Sequence, residues 1–168
     1  MQFYTGVGSR KTPPEILTLM TRFAMFAARN GLILRSGGAI GADQAFEAGA
    51  GDLKEIYRPE DATPEALELA AQYHPAWHYM KWYSRRLHGR NAFQVLGKGL
   101  NTPSKFLICW TPDGCTRHST RKTSTGGTGT AISIASEVAK IPIFNMQTAG
   151  GLLAVETAIR IFERQFNI

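Results

Sequence analysis

The sequence predicts a three-layer α/β domain built on a mainly parallel sheet. Three observations predict it. Short apolar segments alternate with stretches of helical periodicity, Gly-rich turns stand at the junctions, and the composition is that of a packed globular chain. The 168 residues include 17 glycines and are 43% hydrophobic, which suits many tight strand-to-helix turns. A chain of this length buries roughly 70% of its unfolded surface as one unit, and residues 1–168 read as a single domain.

The elements follow in order. Phe3 to Gly8 reads as a short strand breaking into a turn at Gly8-Ser9-Arg10. Thr12-Pro13-Pro14-Glu15 has the form of a helix start: a hydroxyl at the N-cap, Pro at the first turn, a carboxylate three residues on. Ile16, Leu19, Met20, Phe23, Phe26 and Ala27 then fall on one helical face, and Asn30-Gly31 stops the helix. Leu32-Ile33-Leu34 predicts a buried strand ending at Ser36-Gly37-Gly38. A second helix through Ala42, Ala45, Phe46 and Ala48 closes at Gly49-Ala50-Gly51. Leu53 to Tyr57 predicts a third strand. Residues 61–98 read as helical with breaks, Thr63-Pro64-Glu65 capping one segment and His74-Pro75 starting another. Lys105 to Trp110 is the most apolar strand and is expected at the centre of the sheet. Ile141-Pro142-Ile143-Phe144 is the last strand, and 149–166 a closing amphipathic helix. Strands alternating with helices require a parallel sheet covered on both faces. Right-handed crossovers bring the strand C-termini and their Gly turns to one edge, where ligands of open α/β sheets bind.

Charge narrows the partners. The net charge is +6, yet residues 81–122 hold nine Lys/Arg and one acid, Asp113, so this quarter carries +8 and the rest sums to −2. Such concentration points to an anionic partner, a nucleotide or a nucleic acid, or to a solvated basic face. The N-terminus lacks a charged leader followed by an apolar core, and no apolar run approaches the ~18 residues of a membrane span. The expectation is a cytoplasmic protein with no membrane partner. Two cysteines define no disulfide framework, and Cys109, inside Phe106 to Trp110, reads as a reduced core residue.

Three Gly-rich junctions carry the chemistry. Gly6-Val7-Gly8-Ser9-Arg10, Ser36-Gly37-Gly38-Ala39-Ile40-Gly41-Ala42-Asp43 and Ser124-Thr125-Gly126-Gly127-Thr128-Gly129-Thr130 each adjoin a strand and lead toward a helix. The last offers unpaired N–H groups and the positive end of a helix dipole, a phosphate-binding combination. It is no P-loop, because no Lys follows the glycines. Ser9, Ser36, Thr128 and Thr130 add hydroxyl donors and Arg10 a bidentate oxyanion donor. Asp43 either favours its helix dipole or accepts from a sugar hydroxyl or base. The long segment Thr111 to Ser124, with Arg117, His118, Arg121 and Lys122, reads either as a basic lid over bound phosphate or as a loose insertion.

On these motifs the chain resembles the SLOG superfamily, which unites the DNA-processing protein A (DprA/Smf) proteins with the Lonely Guy (LOG) nucleotide hydrolases. Val7-Gly8-Ser9-Arg10 is similar to the DprA "VGSR" turn. Ser36 to Asp43 is similar to "SGxAxGxD" and to the LOG "GGGxxGLM" turn. Arg90-Asn91 resembles the start of "RNR", and Gly126 to Ala131 resembles both "PGGxGT" and "SGSLxTA". The resemblance spans about residues 3–145 and is to short stand-alone members such as those of phage and bacterial genomes. It implies a Rossmann-like fold, with Gly8, Ser9, Arg10, Ser36, Gly37, Gly38, Asp43, Arg90, Asn91, Gly126, Gly127, Thr128, Gly129 and Thr130 around a nucleotide. It also implies two rival activities, N-glycosidic hydrolysis of a nucleoside 5′-monophosphate and single-stranded DNA binding, and a homo-oligomer. Two departures stand out: the glutamate of the LOG "GTxxE" falls on Ser133, and the third residue of "RNR" is Ala92. Glycosidic chemistry here would draw its carboxylate from Glu137 or Glu47.

Two further groups have alternative readings. His74 and His78, four residues apart, suit either a metal or an ordinary helix start, and with no third ligand type nearby no metal and no cofactor is expected. Trp77, Tyr79, Trp82 and Tyr83, followed by Arg85, Arg86, His88 and Arg90, suit either base stacking or core packing.

Overall fold

A computed structural model describes residues 1–166, and the fold is the three-layer, Rossmann-like α/β arrangement. The described residues form five strands: β1 (Gln2–Gly6), β2 (Leu32–Ser36), β3 (Lys54–Ile56), β4 (Leu107–Cys109) and β5 (Ile143–Asn145). All pair in parallel in the order β3-β2-β1-β4-β5. Six α-helices connect and cover them: α1 (Pro14–Arg29), α2 (Ala42–Ala50), α3 (Pro64–Tyr73), α4 (Trp82–Leu96), α5 (Thr128–Ile134) and α6 (Ala149–Phe166). A π-turn over Ala135–Ala139 prolongs α5.

Strand alternation divides the core in two. Tyr4, Leu34 and Ile108 pack with Met20 and Phe23 of α1, Phe46 of α2, and Val155 and Ile159 of α6. Gly49 lets α2 press on α1, since a Cβ there would lie 2.1 Å from the Thr21 carbonyl oxygen. Leu107 and Cys109 point the other way, against Phe93 and Leu96 of α4 and Ile132 of α5. Cys109 is a free, fully buried thiol, and burial pushes its pKa up. Thr5 shares this second face, and its hydroxyl donates to the Gln94 carbonyl oxygen at 2.6 Å, tying β1 to α4.

The order of the strands decides where the site lies. β1 holds the centre and β4, expected there, is its neighbour. Only Thr5↔Leu107 and Gly6↔Ile108 register across that seam, against four pairs between β1 and β2. The backbone N–H groups of Val7 and Ser9 prolong it by donating to the carbonyls of Ile108 and Trp110, both at 3.1 Å. Connections leave β1 and β4 in opposite directions, which opens a crevice at their C-terminal ends.

Several local expectations change. Thr12 does not cap α1: Pro13 takes that position, and the Thr12 hydroxyl instead donates to the Ser9 carbonyl oxygen at 2.6 Å. Thr63 does cap α3, accepting from the Ala66 N–H. His74 ends α3 in an extended conformation, because the following Pro75 disfavours a helical residue before it. Trp77–Tyr79 is an isolated 3₁₀ turn, and α4 begins at Trp82. The segment from Thr111 to Ser124 is tied to its surroundings by side-chain hydrogen bonds. The Asp113 carboxylate accepts from the hydroxyls of Thr111, Ser124 and Thr125 and from the Cys115 N–H. Burial opposes the charge of Asp113, but these donors outweigh it and hold the carboxyl below its usual range. Asn145 Nδ2 donates to the Cys115 carbonyl, and the Arg121 guanidinium to that of Tyr73. No helix of the described residues is long and apolar enough to cross a membrane.

Candidate functional site

A cleft of about 430 Å³ opens at the β1/β4 crevice. The turn after β1 supplies Gly8, Ser9, Arg10 and Lys11. The turn after β2 and the first residues of α2 supply Ala39 and Asp43. Leu87, His88, Arg90, Asn91 and Gln94 of α4 form one wall, and Gly127, Thr128 and Ala131 the other. The α4 residues share a face because they recur at three- and four-residue steps.

Asp43 is the carboxylate of this cleft, 4% exposed. Burial raises its pKa to about 6, against the pull of the Arg90 charge and of backbone N–H groups, Ala39's among them at 3.2 Å. Arg90 donates from Nη1 to the Gly37 carbonyl oxygen at 2.6 Å. A Cβ at Gly37 would displace the ends of both cleft side chains, lying 2.6 Å from Arg90 Cζ and closer still to Gln94 Nε2. Two buried polar atoms beside the cleft, Arg90 Nε and Gln94 Oε1, find no partner among the described residues.

The second Gly turn has a different logic. Gly126 adopts φ +70, which favours glycine. Gly127 does not: its φ is −61, and a Cβ would meet nothing within 4 Å. Among the described residues neither its N–H nor that of Thr128 has a backbone acceptor, and no side chain caps α5. Asn91 Nδ2 donates to the Gly127 carbonyl oxygen at 3.1 Å and fixes the turn to α4.

Beyond this turn lies a second cleft of about 620 Å³. Tyr73, His74, His118, Arg121 and Lys122 line it, and it shares His88 and Gly127 with the first. His88 Nδ1 is 2.7 Å from the Thr130 hydroxyl, which accepts from Arg121 Nη2 at 3.2 Å. Burial, reinforced by the neighbouring His74 and the charges of Arg121 and Arg90, depresses the His88 pKa to about 3. The ring is therefore neutral at physiological pH.

The structure thus gathers Gly8, Ser9, Arg10, Asp43, Arg90, Asn91, Gly127 and Thr128 in one cleft and Gly126 in its neighbour. Other expected residues lie elsewhere. The Ser36 hydroxyl donates to the Gly6 carbonyl oxygen at 2.6 Å and serves the sheet. Gly38 shapes its turn with φ +68. Gly129 lies under the Arg121 side chain, and Thr130 is fully buried against His88. Neither proposed catalytic glutamate lines the cleft: Glu47 pairs with Lys54 at 3.0 Å, and Glu137 is exposed, accepting from Ser136. His74 turns its ring to His88, centroids 4.3 Å apart, and among the described residues no three His, Cys, Asp or Glu gather as a metal site. Of the aromatic cluster, Arg85 covers Trp77 and Arg86 covers Trp82, while Tyr79 and Tyr83 are exposed.

Sequence reasoning missed Lys11, Leu87 and Gln94 in the first cleft, and met His88 only beside the aromatic cluster. Projecting α4 outward from Asn91 in helical steps finds Leu87, His88 and Gln94, at −4, −3 and +3. The chain matches no protein-family model, no curated protein and no solved structure.

Proposed function

We propose that this chain binds a phosphorylated nucleotide or nucleotide-like ligand in the β1/β4 cleft, as a member of the SLOG superfamily. Gly127 carries the reading. The fold needs no glycine there, neither for φ nor for packing, and the open space at its Cβ position, together with an N–H that has no acceptor among the described residues, leaves room for phosphate. Arg10 and Lys11 bring charge from the opposite side, and Asp43 with Arg90 and Gln94 offers acceptors and donors to a sugar or base. Among the cleft-lining residues a hydrolytic variant of this reading has only Asp43 as carboxylate. The DNA reading draws on the exposed Tyr79, Trp82 and Tyr83 beside Arg85 and Arg86.

Thermal unfolding against nucleoside mono-, di- and triphosphates and a short single-stranded oligonucleotide tests it. A ligand at 100 times its Kd adds ~2.7 kcal/mol, a rise in Tm of roughly 5–10 °C. Gly127→Ala is the matching variant. Its stability should stay level or rise by ~0.4–1 kcal/mol, while nucleotide affinity falls at least tenfold as the methyl fills the phosphate's place. Unchanged affinity in Gly127→Ala sinks the proposal. A response to the oligonucleotide alone, lost in salt, transfers the case to DNA.

A further inference from the structure

A mononucleotide in the first cleft leaves the second unused, yet the two adjoin. They meet at His88 and at the Gly126–Gly127 turn. The second cleft is lined by no Asp or Glu. Arg10 and Lys11 on one side of the turn, and Arg121 and Lys122 on the other, form no ion pair among the described residues. Cations on both sides suit charge spread over two linked phosphates. His88 stands in the shared wall as a neutral ring. Arg121 donates to the Thr130 hydroxyl, whose oxygen lies 2.7 Å from His88 Nδ1. With that hydroxyl donating to Nδ1, the ring would carry its hydrogen on Nε2, a donor without charge for an ester or phosphate oxygen. Tyr73, His74 and His118 give the second cleft flat rings that suit a sugar or a base. Each volume lies within the ~300–1,000 Å³ range of small-molecule sites, so each takes half of an extended ligand.

We infer that the ligand is bipartite: a nucleoside 5′-diphosphate whose terminal phosphate is esterified to a second sugar or nucleoside. The nucleoside half occupies the first cleft, the diphosphate crosses Gly126–Gly127, and the second half fills the cleft of His74, His118, Arg121 and Lys122. This rests on the nucleotide reading above and adds the substrate class.

Titration calorimetry on the full chain tests it with matched sets for each base: the nucleoside monophosphate, the diphosphate, and a sugar-esterified diphosphate such as ADP-ribose, GDP-mannose or UDP-glucose. In one set the esterified compound should bind at least tenfold more tightly than both others. Lys122→Glu should abolish that advantage and leave monophosphate affinity within twofold. Lys122 is exposed and its backbone N–H, not its side chain, bonds Thr125, so the fold tolerates the change; Lys122→Gln repeats the test without charge reversal. A monophosphate that binds as tightly as its esterified partner, or Lys122 variants that weaken all three compounds equally, overturns the bipartite ligand and leaves the nucleotide reading standing. Silence from every compound overturns both.

Discussion

At the residue scale, an aspartate that titrates at about 6 in the fold and near ~3.9 in the unfolded chain binds more protons folded than unfolded between those values. Its contribution to stability therefore falls as pH rises from 4 to 6 and stays low above. His88 runs the other way. Its folded pKa of about 3 lies below the unfolded ~6.5, so the unfolded chain binds more protons in that window, and stability is lost as pH drops through it. Asp43→Asn should gain up to ~3 kcal/mol at pH 8 by this linkage, and the gain should vanish at pH 4. Paired urea midpoints of the two proteins at the two pH values check it, and an equal gain at both is the contrary result. His88→Gln can keep a bond to Thr130 while removing the titration. Its acid unfolding midpoint should move to lower pH, with stability at pH 8 within ~1 kcal/mol of the parent.

At the element scale, what was legible came from periodicity and punctuation. The face of α1 from Ile16 to Ala27 and its stop at Asn30-Gly31 could be read directly, because burial and termination there are local. The break between α3 and α4 was blurred, since 74–81 mixes helix formers with one proline and only tertiary contacts decide it. In the sequence Asp113 stands out only as a lone acid among cations, yet it pins the segment from Thr111 to Thr125 through hydroxyls fourteen residues apart. Removing it leaves those donors with no shared acceptor, at ~1–3 kcal/mol. Asp113→Ala should therefore speed amide exchange at Cys115 and Thr125 at least tenfold, while amides of α1 exchange as before. Uniform acceleration across both would mean that Asp113 supports the whole fold instead of this segment. Glu47 and Glu137 misled for a related reason. Nearness to a Gly turn in sequence puts only the first helical turn at the sheet edge: Asp43, the second residue of α2, meets that condition, and Glu47, one turn on, reaches Lys54 instead.

At the scale of the whole molecule, the parallel sheet and its ligand edge followed from alternation, but the order β3-β2-β1-β4-β5 did not. No local pattern says that β4 lies beside β1, and that adjacency alone brings Gly8, Asp43, Arg90 and Gly127 together. The second cleft is illegible in the sequence for the same reason: its walls come from 72–76, 88, 118, 121–123 and 126–127, and no spacing links them. The basic quarter of the chain likewise divides in space, with Arg85 and Arg86 spent on Trp faces and Arg90, Arg121 and Lys122 turned to the clefts.

The seam between β1 and β4, with its two registered pairs, is the shortest pairing in the sheet and runs directly beneath the crevice. A molecule held by Ser9 and Arg10 on one bank and by Gly127 and Thr128 on the other acts as a suture across it. Occupancy would then be felt in the backbone itself: the Val7 and Ser9 amides, which close the seam on Ile108 and Trp110, become the slowest to open when the crevice is filled.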